Sequence, residues 1–305
     1  MDSAAIFGQE LKRDPAVAIP APPSAKSIAS GPEYKVQFVI ELVGPRSFPA
    51  TASMALLEPN WAQALGNPEI YAMAPADETW RPLDRSFDGS IDSLALAWDV
   101  VADHGVLTSQ ACAHLLQVAE SFGTQIQRRA LPLPPPIDVN KMAAGLRDIQ
   151  ENLDIGVELM LVPKGPDFPE RNVWIAAAAL GLEYSHEGFF EAKGPTAETS
   201  YLTMTPMGGM PSFSLGSVQS GVAHPGLMLG FSVPLSPDPA YSLEAALHCG
   251  TYLSQSLGGV LFNDADQTLG PTARAELMSN LLAAIRAFSG VGIEPGSRAA
   301  IKLFS

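Results

Sequence analysis

Two segments, one in each half of the chain, carry the same alternation of residues followed by the same proline signals. The stretch YKVQFVIELVGP begins at Tyr34, and DIGVELMLVPKGP begins at Asp154. In both, apolar residues recur at every second position, which is typical of a strand with one buried face. Each stretch ends in Gly-Pro and is followed by Phe-Pro and an apolar, Ala-rich segment, where proline suits the first turn of a helix. The sequence therefore predicts two domains that open in the same way.

The second parts of the two halves match more closely. SLALAWDVVADHGVLTSQACAHLLQVAESFG and GLMLGFSVPLSPDPAYSLEAALHCGTYLSQSLGG both read as strand, turn and amphipathic helix, with Gly123 and Gly258 ending the helices. A short strand-like piece, TQIQRRA or GVLFND, and a Pro-initiated helix follow each of them. The order is strand, helix, several strands, helix, strand, helix, given twice, as expected of duplicated domains.

This order predicts an α+β fold of two tandem split β-α-β domains. Each domain is expected to be an antiparallel sheet with helices packed on one face and the other face more open. The predicted divisions are a Pro/Ala-rich linker at 1–33, a first domain at 34–152, a second domain at 153–290 and a C-terminal tail at 291–305.

The linker and the tail have distinct compositions. Residues 15–32, PAVAIPAPPSAKSIASGP, are rich in Pro, Ala and Ser, a composition that stays extended and does not pack a core. The tail, GVGIEPGSRAAIKLFS, ends in an amphipathic IKLF motif after a Gly/Pro break. The sequence leaves open whether this tail folds back on a domain or stays free.

Composition and charge exclude several classes of partner. With 47% hydrophobic and 16% charged residues, the chain can bury substantial cores. Its formal charge of -14 argues against nucleic acid, which needs clustered Lys and Arg. No apolar run reaches the roughly 18 residues that span a bilayer. Membrane association is therefore expected only through an anchor not present in this chain.

No pattern of catalytic or metal-binding residues is found. The chain has no GxSxG elbow, no GxxxxGK[ST] loop and no GxGxxG turn. Cys112 and Cys249 lie far apart in helix-like segments and are interpreted as buried thiols. The Gly-rich residues 206–217 are read as a loop between two sheet strands, and the acidic pair at 264 and 266 as a solvated turn. The histidines are scattered without metal-ligand spacing: His104, His114, His186, His224 and His248. We expect no enzyme activity, no cofactor and no metal.

Methionines cluster around the strands predicted in the second domain, at positions 204, 207, 210 and 228. Methionine is common core filler, but on an open sheet face its flexible thioether makes an adaptable surface for an apolar peptide. Core packing is favoured for Met204. For Met228 the core and binding interpretations stay equally open.

The second half resembles a known family. LGLEYSHEGFFEA, MPSFSLGSVQSG, PGLMLGFSVPL and GGVLFNDADQTLGPTARAELMSNLLAAI are similar, in order and length, to the C-terminal domain of the bacterial cell-division protein ZipA. The resemblance implies a split β-α-β fold whose exposed sheet face is a shallow apolar groove for the C-terminal peptide of the tubulin-like protein FtsZ. Family members usually carry an N-terminal membrane helix and a Pro-rich linker, which implies a place at the cytoplasmic face of the bacterial inner membrane.

The groove residues implied by the resemblance are the outward-facing strand positions of the second domain. On the first strand, the middle strands and the PGLMLGFSVP strand these are Gly156, Glu158, Met160, Phe189, Gly216, Val218, Met228, Gly230 and Ser232. The equivalent face of the first domain is less apolar, with Gln37, Val39, Glu41, Ala95, Ala97 and Asp99. The first domain is expected to be a spacer or a second, altered binding module.

The sequence therefore predicts a non-catalytic adaptor that binds the FtsZ C-terminal peptide and tethers or stabilises the Z ring at the cytoplasmic membrane. The alternative is a protein-interaction module of the same fold for a different division or envelope partner.

Overall fold

The computed structural model of the chain describes residues 6–8, 10–22, 30–75, 79–103, 105–194, 200–209 and 212–305. The described residues fall into two compact units. The first unit comprises those within Ser27–Asn152 and Arg298–Ser305, and the second unit those within Met1–Lys26 and Leu153–Ser297. The helices that the structure describes include none long and apolar enough to cross a membrane.

The second unit contains a central antiparallel sheet and several helices. Its strands are β10 (Gly156–Pro163), β11 (Phe168–Pro169), β12 (Glu183–Tyr184), β13 (Phe190–Lys193), β14 (Ser200–Pro206), β15 (Ala223–His224), β16 (Leu227–Ser232) and β17 (Gly259–Asn263). Its helices are α4 (Glu170–Leu180), α5 (Leu215–Gln219), α6 (Pro239–Leu257) and α7 (Pro271–Val291). The sheet has the order β12-β13-β14-β16-β10-β17, and β11 pairs with β15 beside it.

The period-two alternation of β10 sets the core of this unit. Leu159 and Leu161 are fully buried, while Met160 between them faces the other side of the sheet. They pair with Leu229 and Leu227 of β16, so the inner side is leucine across both strands. Helix α6 packs on this side, and α4 and α7 pack against α6. The described helices of this unit therefore all contribute to one core, and none of them lies on the opposite face of the sheet.

The first unit is built in a similar way. Its strands are β1 (Gln37–Val43), β2 (Phe48–Pro49), β3 (Glu69–Met73), β4 (Arg81–Pro82), β5 (Ser90–Ile91), β6 (Ser93–Asp99), β7 (Val101–Ala102), β8 (Gly105–Val106) and β9 (Arg129–Leu133). Its helices are α1 (Pro59–Ala64), α2 (Ser109–Gln125), α3 (Val139–Leu153) and α8 (Arg298–Phe304), with 3-10 turns at Ala50–Ala52, Met54–Leu57 and Pro136–Asp138. The sheet has the order β4-β3-β6-β1-β9.

The α+β fold predicted from the sequence is confirmed. In each unit the opening strand lies between a later strand and the last strand of its sheet, in the orders β6-β1-β9 and β16-β10-β17. In each unit the Phe-Pro pair forms a two-residue strand that pairs with another short strand. The units differ after Phe-Pro, where α4 stands in the second unit and 3-10 turns with α1 stand in the first. The predicted domain boundaries themselves stay predictions.

The structure differs from the linker interpretation over part of residues 15–32. Backbone amides of Asp14 and Ile19 donate to the last carbonyls of α4, at 3.0 and 2.9 Å. The side chain of Ile19 is 6% exposed and lies in the core of the second unit. An extended segment can thus pack when its backbone caps a helix end whose carbonyls lack partners. Residues 23–29 of the predicted linker lie outside the described residues.

The two sides of the sheet predict different consequences for two methionines. Met204 on β14 is fully buried, whereas Met228 on β16 is partly exposed on the opposite side. Met204→Ala should lower the free energy of unfolding of the second unit by about 2–5 kcal/mol, because it leaves a cavity. Met228→Ala should cost less than about 1 kcal/mol. Amide hydrogen exchange of β16 measures both, and equal losses would contradict the placement of the two side chains.

Candidate peptide-binding face

The outer side of the second-unit sheet is formed by alternate residues of β10, β14, β16 and β17. On β10 these are Gly156, Glu158, Met160 and Val162, each one residue away from a leucine or valine of the helix side. We name this surface the methionine face and define it by Gly156, Glu158, Met160, Val162, Thr203, Thr205, Met228, Gly230, Ser232, Val260 and Phe262. All of these are at least partly exposed.

An apolar stripe crosses the methionine face. Phe262 pairs with Met160, and Met160 pairs with Met228, so three large apolar side chains lie side by side on neighbouring strands. Val162 and Val260 form the adjacent pair, and Val162 is 36% exposed. Directly opposed side chains on antiparallel strands have Cβ atoms about 4.5–5.5 Å apart. The stripe is therefore continuous and accessible to a partner.

A polar row runs beside this stripe. Glu158 pairs with Gly230, and Gly230 pairs with Thr203, whose hydroxyl donates to the Gly230 carbonyl at 3.1 Å. Glu158 is exposed and, within the part of the chain that the structure describes, its carboxylate has no ion pair. The next carboxylate in the row, Glu191, is held by Lys193 at 2.8 Å. That hydrogen bond raises the pKa of Lys193. Among the residues described, Glu158 is thus the carboxylate of this row that has no ion pair.

Glycine keeps the centre of the face low. A Cβ on Gly230 would lie 3.2 Å from the carbonyl oxygen of Val157 and 3.6 Å from Cγ of Glu158. The stem of Glu158 therefore lies close to the space that a side chain at position 230 would need. Gly156 and Ser232 pair at the end of the two strands and add little height. The surface is therefore shallow. It is higher at the apolar stripe and lower where Gly156, Gly230 and Ser232 lie.

Phe189 lies next to this face, immediately before β13. It precedes Phe190, whose ring packs inward 5.0 Å from Trp174 and 5.1 Å from Phe213. The carbonyl of Phe189 accepts from the amide of Ser185 at 2.8 Å and closes the β12-β13 hairpin. By alternation with Phe190, its partly exposed side chain is directed to the outer side.

Gly216 and Val218 do not lie on a strand, and their placement on the sheet face is wrong. They belong to the short helix α5, which the hydroxyl of Ser214 caps by accepting from the amide of Ser217 at 3.0 Å. Val218 is 9% exposed and contributes to the core, whereas Gly216 is exposed. The segment reads as a strand because FSLGSV alternates, but a serine N-cap before a short run favours a helix. The loop predicted over 206–217 likewise contains the start of this helix.

A buried Glu-His pair holds α5 in place. The carboxylate of Glu170, at the start of α4, accepts from the Ser214 amide at 2.7 Å and from the Trp174 indole at 3.2 Å. Its other oxygen lies 3.0 Å from Nε2 of His224, and both side chains are fully buried. The pair joins three elements behind the sheet. We assign it a structural role.

Sequence reasoning missed part of the face. The methionine face also includes five residues that the sequence did not indicate: Val162, Val260, Phe262, Thr203 and Thr205. The alternation in GVLFN is visible in the sequence. Only the β10-β17 register shows which of its residues lie on the outer side of the sheet. The sequence interpretation of Met204 as core is confirmed, and Met228 lies on the face. Cys112 and Cys249 are free and buried, as predicted. Met210 and His104 lie outside the described residues.

Two glycines test these placements. Gly216→Ala should raise the free energy of unfolding by about 0.4–1 kcal/mol, since a helical site with open space accepts alanine and the nearest atom to its Cβ is 3.8 Å away. Gly230→Ala should lower it by about 1 kcal/mol, because its Cβ meets a strand carbonyl at 3.2 Å. Thermal unfolding of both variants gives the comparison. A destabilising Gly216→Ala would argue against α5.

Comparison with known proteins now gives this surface a context. The family model described as "ZipA, C-terminal FtsZ-binding domain" matches residues 156–280, a range that contains β10 to β17 and the first half of α7. No curated protein matches the chain significantly. The sequence resemblance is confirmed, and with it the association of this domain with cell division and FtsZ binding. Over residues 156–280, the second unit is thus similar to the ZipA C-terminal FtsZ-binding domains.

Proposed function

We propose that the methionine face of the second unit binds the C-terminal peptide of FtsZ. The observation that carries the proposal is the continuous stripe of Phe262, Met160 and Met228, which is partly exposed on the side of the sheet opposite the core. An FtsZ-binding family domain needs a surface of this kind, and unbranched thioethers adapt to the shape of an apolar partner.

The charge of the face adds a requirement for the peptide. The exposed carboxylate of Glu158 belongs to the Glu158–Gly230 pair, which is the next pair to Met160–Met228 on the same side of the sheet. A peptide that sets apolar side chains on the stripe can place a cation near Glu158. Such a pair at the rim contributes mainly to orientation and association rate. Because Gly230 has no side chain, a peptide helix can lie close to the sheet across these strands, as in other groove-binding modes.

The expected affinity is moderate. Burying apolar area contributes about 25 cal/mol per Å², but ordering a free peptide on a shallow face opposes this gain. A few central side chains usually carry most of the binding free energy. We place that role on Met160, Met228 and Phe262.

We further propose that the protein is a non-catalytic adaptor that tethers or stabilises the Z ring at the cytoplasmic face of the inner membrane. Support comes from the family of the second unit, whose members bind FtsZ. Fractionation of the native protein, with its genomic upstream sequence, tests this part separately.

Peptide binding is tested by titrating the labelled chain with an FtsZ C-terminal peptide. Chemical shifts should change on β10, β16 and β17. The double variant Met160→Gln/Met228→Gln keeps the length of both side chains and removes their apolar ends, so the dissociation constant should rise at least about tenfold, which is about 1.4 kcal/mol.

Leu282→Gln is the matched control, because Leu282 is 43% exposed on α7 and lies outside the methionine face. It should leave the affinity unchanged. Shifts confined to the helix side of the unit, or equal losses in the control and the double variant, would refute the site.

A further inference from the structure

The outer side of the first-unit sheet is closed, in contrast to the methionine face. By the β1-β6 and β3-β6 registers, this side contains Gln37, Val39, Glu69, Tyr71, Ala95, Ala97 and Asp99, which we name the covered face. Val39 and Ala95 have no exposed surface, and Ala97 is 1% exposed. The open face expected for this domain is therefore absent. Trp80 and Leu133 pack against the apolar part of this face, and one further element contacts its polar residues.

That element is the C-terminal helix α8. Its Arg298 guanidinium lies over the Tyr71 ring, 5.1 Å from the centroid, and donates to the Tyr71 hydroxyl. Its Lys302 ammonium lies 2.7 Å from Oε1 of Glu69 and 3.3 Å from Oδ1 of Asp99. Tyr71, Glu69 and Asp99 all belong to the covered face. The tail thus folds back on a domain, which settles the question that its sequence left open.

The carboxylates that receive the tail are positioned in advance by a buried amide. Gln37 is fully buried, and its Nε2 donates to Glu69 at 3.0 Å and to Asp99 at 2.9 Å. Its carbonyl oxygen accepts from the amide of Glu33 at 2.8 Å. Burial acts to raise the pKa of Glu69, but hydrogen bonds from Lys302, Tyr71 and Gln37 outweigh it and hold that pKa below its usual value. The pair is a ready acceptor for a cation.

The tail matches this surface in shape and in charge. Arg298 and Lys302 are four residues apart and so lie on one side of a helix. Ala299, Ala300 and Leu303 are buried, at 5%, 0% and 3% exposure. Small residues allow the helix to approach a sheet face that is itself lined by Ala95 and Ala97. At the far end, the Leu303 carbonyl accepts from Gln150 of α3.

The helix is nevertheless a separable element. Seven residues are too few to form a stable helix alone in water, so α8 depends on docking for its order. It follows a Gly/Pro-containing stretch that belongs to the second unit, where the Gly296 amide donates to the Pro234 carbonyl at 2.8 Å. The first-unit sheet therefore receives a short peptide from a part of the chain that is remote in sequence.

We propose that the covered face is a second peptide-binding site, specific for a short helix with two cations four residues apart on a small-residue stripe, and that α8 occupies it as an internal ligand. A partner helix of this chemistry binds the first unit only by displacing α8. The site is distinct from the methionine face, and the proposal does not rest on FtsZ binding.

Tethering makes the internal ligand effective. A short connection holds the tail at an effective concentration near the millimolar range, against which a free peptide must compete. The wild-type chain should therefore bind a free tail peptide weakly. Once the tail's cations are lost, the same face should accept the peptide.

The test is a titration of full-length chains with a fluorescent peptide of residues 294–305. Arg298→Glu/Lys302→Glu, which places like charges against Glu69 and Asp99, should bind the peptide at least tenfold more tightly than the wild-type chain. Arg286→Glu/Lys164→Glu is the matched control. It makes the same change in net charge at exposed positions of the second unit and should behave as wild type.

Hydrogen exchange of β1 checks that the first unit remains folded. If the reversed charges unfold it, Arg298→Gln/Lys302→Gln removes the cations without repulsion and serves in the same titration. No binding to a folded variant, or equal binding to variant and wild type, would overturn the proposal. A wild-type dimer with exchanged tails would overturn masking within one chain. Unchanged FtsZ-peptide affinity in the variant separates this result from the methionine face.

Discussion

The antiparallel pairing of β10 with β16 on one side and β17 on the other is the constraint on which the second unit depends. Because side chains alternate along each strand, one register decides which residues enter the core and which reach the surface. The register that pairs Leu159 with Leu229 also pairs Met160 with Met228 and with Phe262. Core and candidate binding face are thus two results of one hydrogen-bonding pattern. A slip of one residue would exchange them.

The same architecture is used differently in the two units. In the second, the outer side of the sheet keeps an accessible apolar stripe beside the exposed carboxylate of Glu158. In the first, the outer side is lined by small residues, against which Trp80 and Leu133 pack, and by carboxylates that Gln37 holds and the chain's own C-terminal helix contacts. The two faces therefore suit peptides of different chemistry. One suits an apolar peptide, and the other a basic helix with small residues.

A peptide from elsewhere in the chain supports each unit. Residues 10–22 pack on the helix side of the second unit and cap α4, and α8 packs on the sheet side of the first. Both are short segments of low intrinsic order whose backbone or charges satisfy partners on a folded surface. From composition alone, such segments are interpreted as a linker and a tail. The composition of a segment does not show that a distant surface of the folded chain offers it hydrogen-bond partners.

The sequence by itself determined the α+β class, the two opening strands, the long helices and the family resemblance of the second domain, since these depend on local periodicity and on ordered motifs. It also predicted the side of the sheet on which Met160, Met228, Gly230 and Glu158 lie, because one strand's alternation fixes its own two sides. Only the tertiary structure decided that Phe262 and Val162 share that face, that Gly216 and Val218 lie on a helix, and that α8 closes the first sheet. These facts depend on register and on contacts between residues far apart in sequence. No local pattern of residues encodes such contacts.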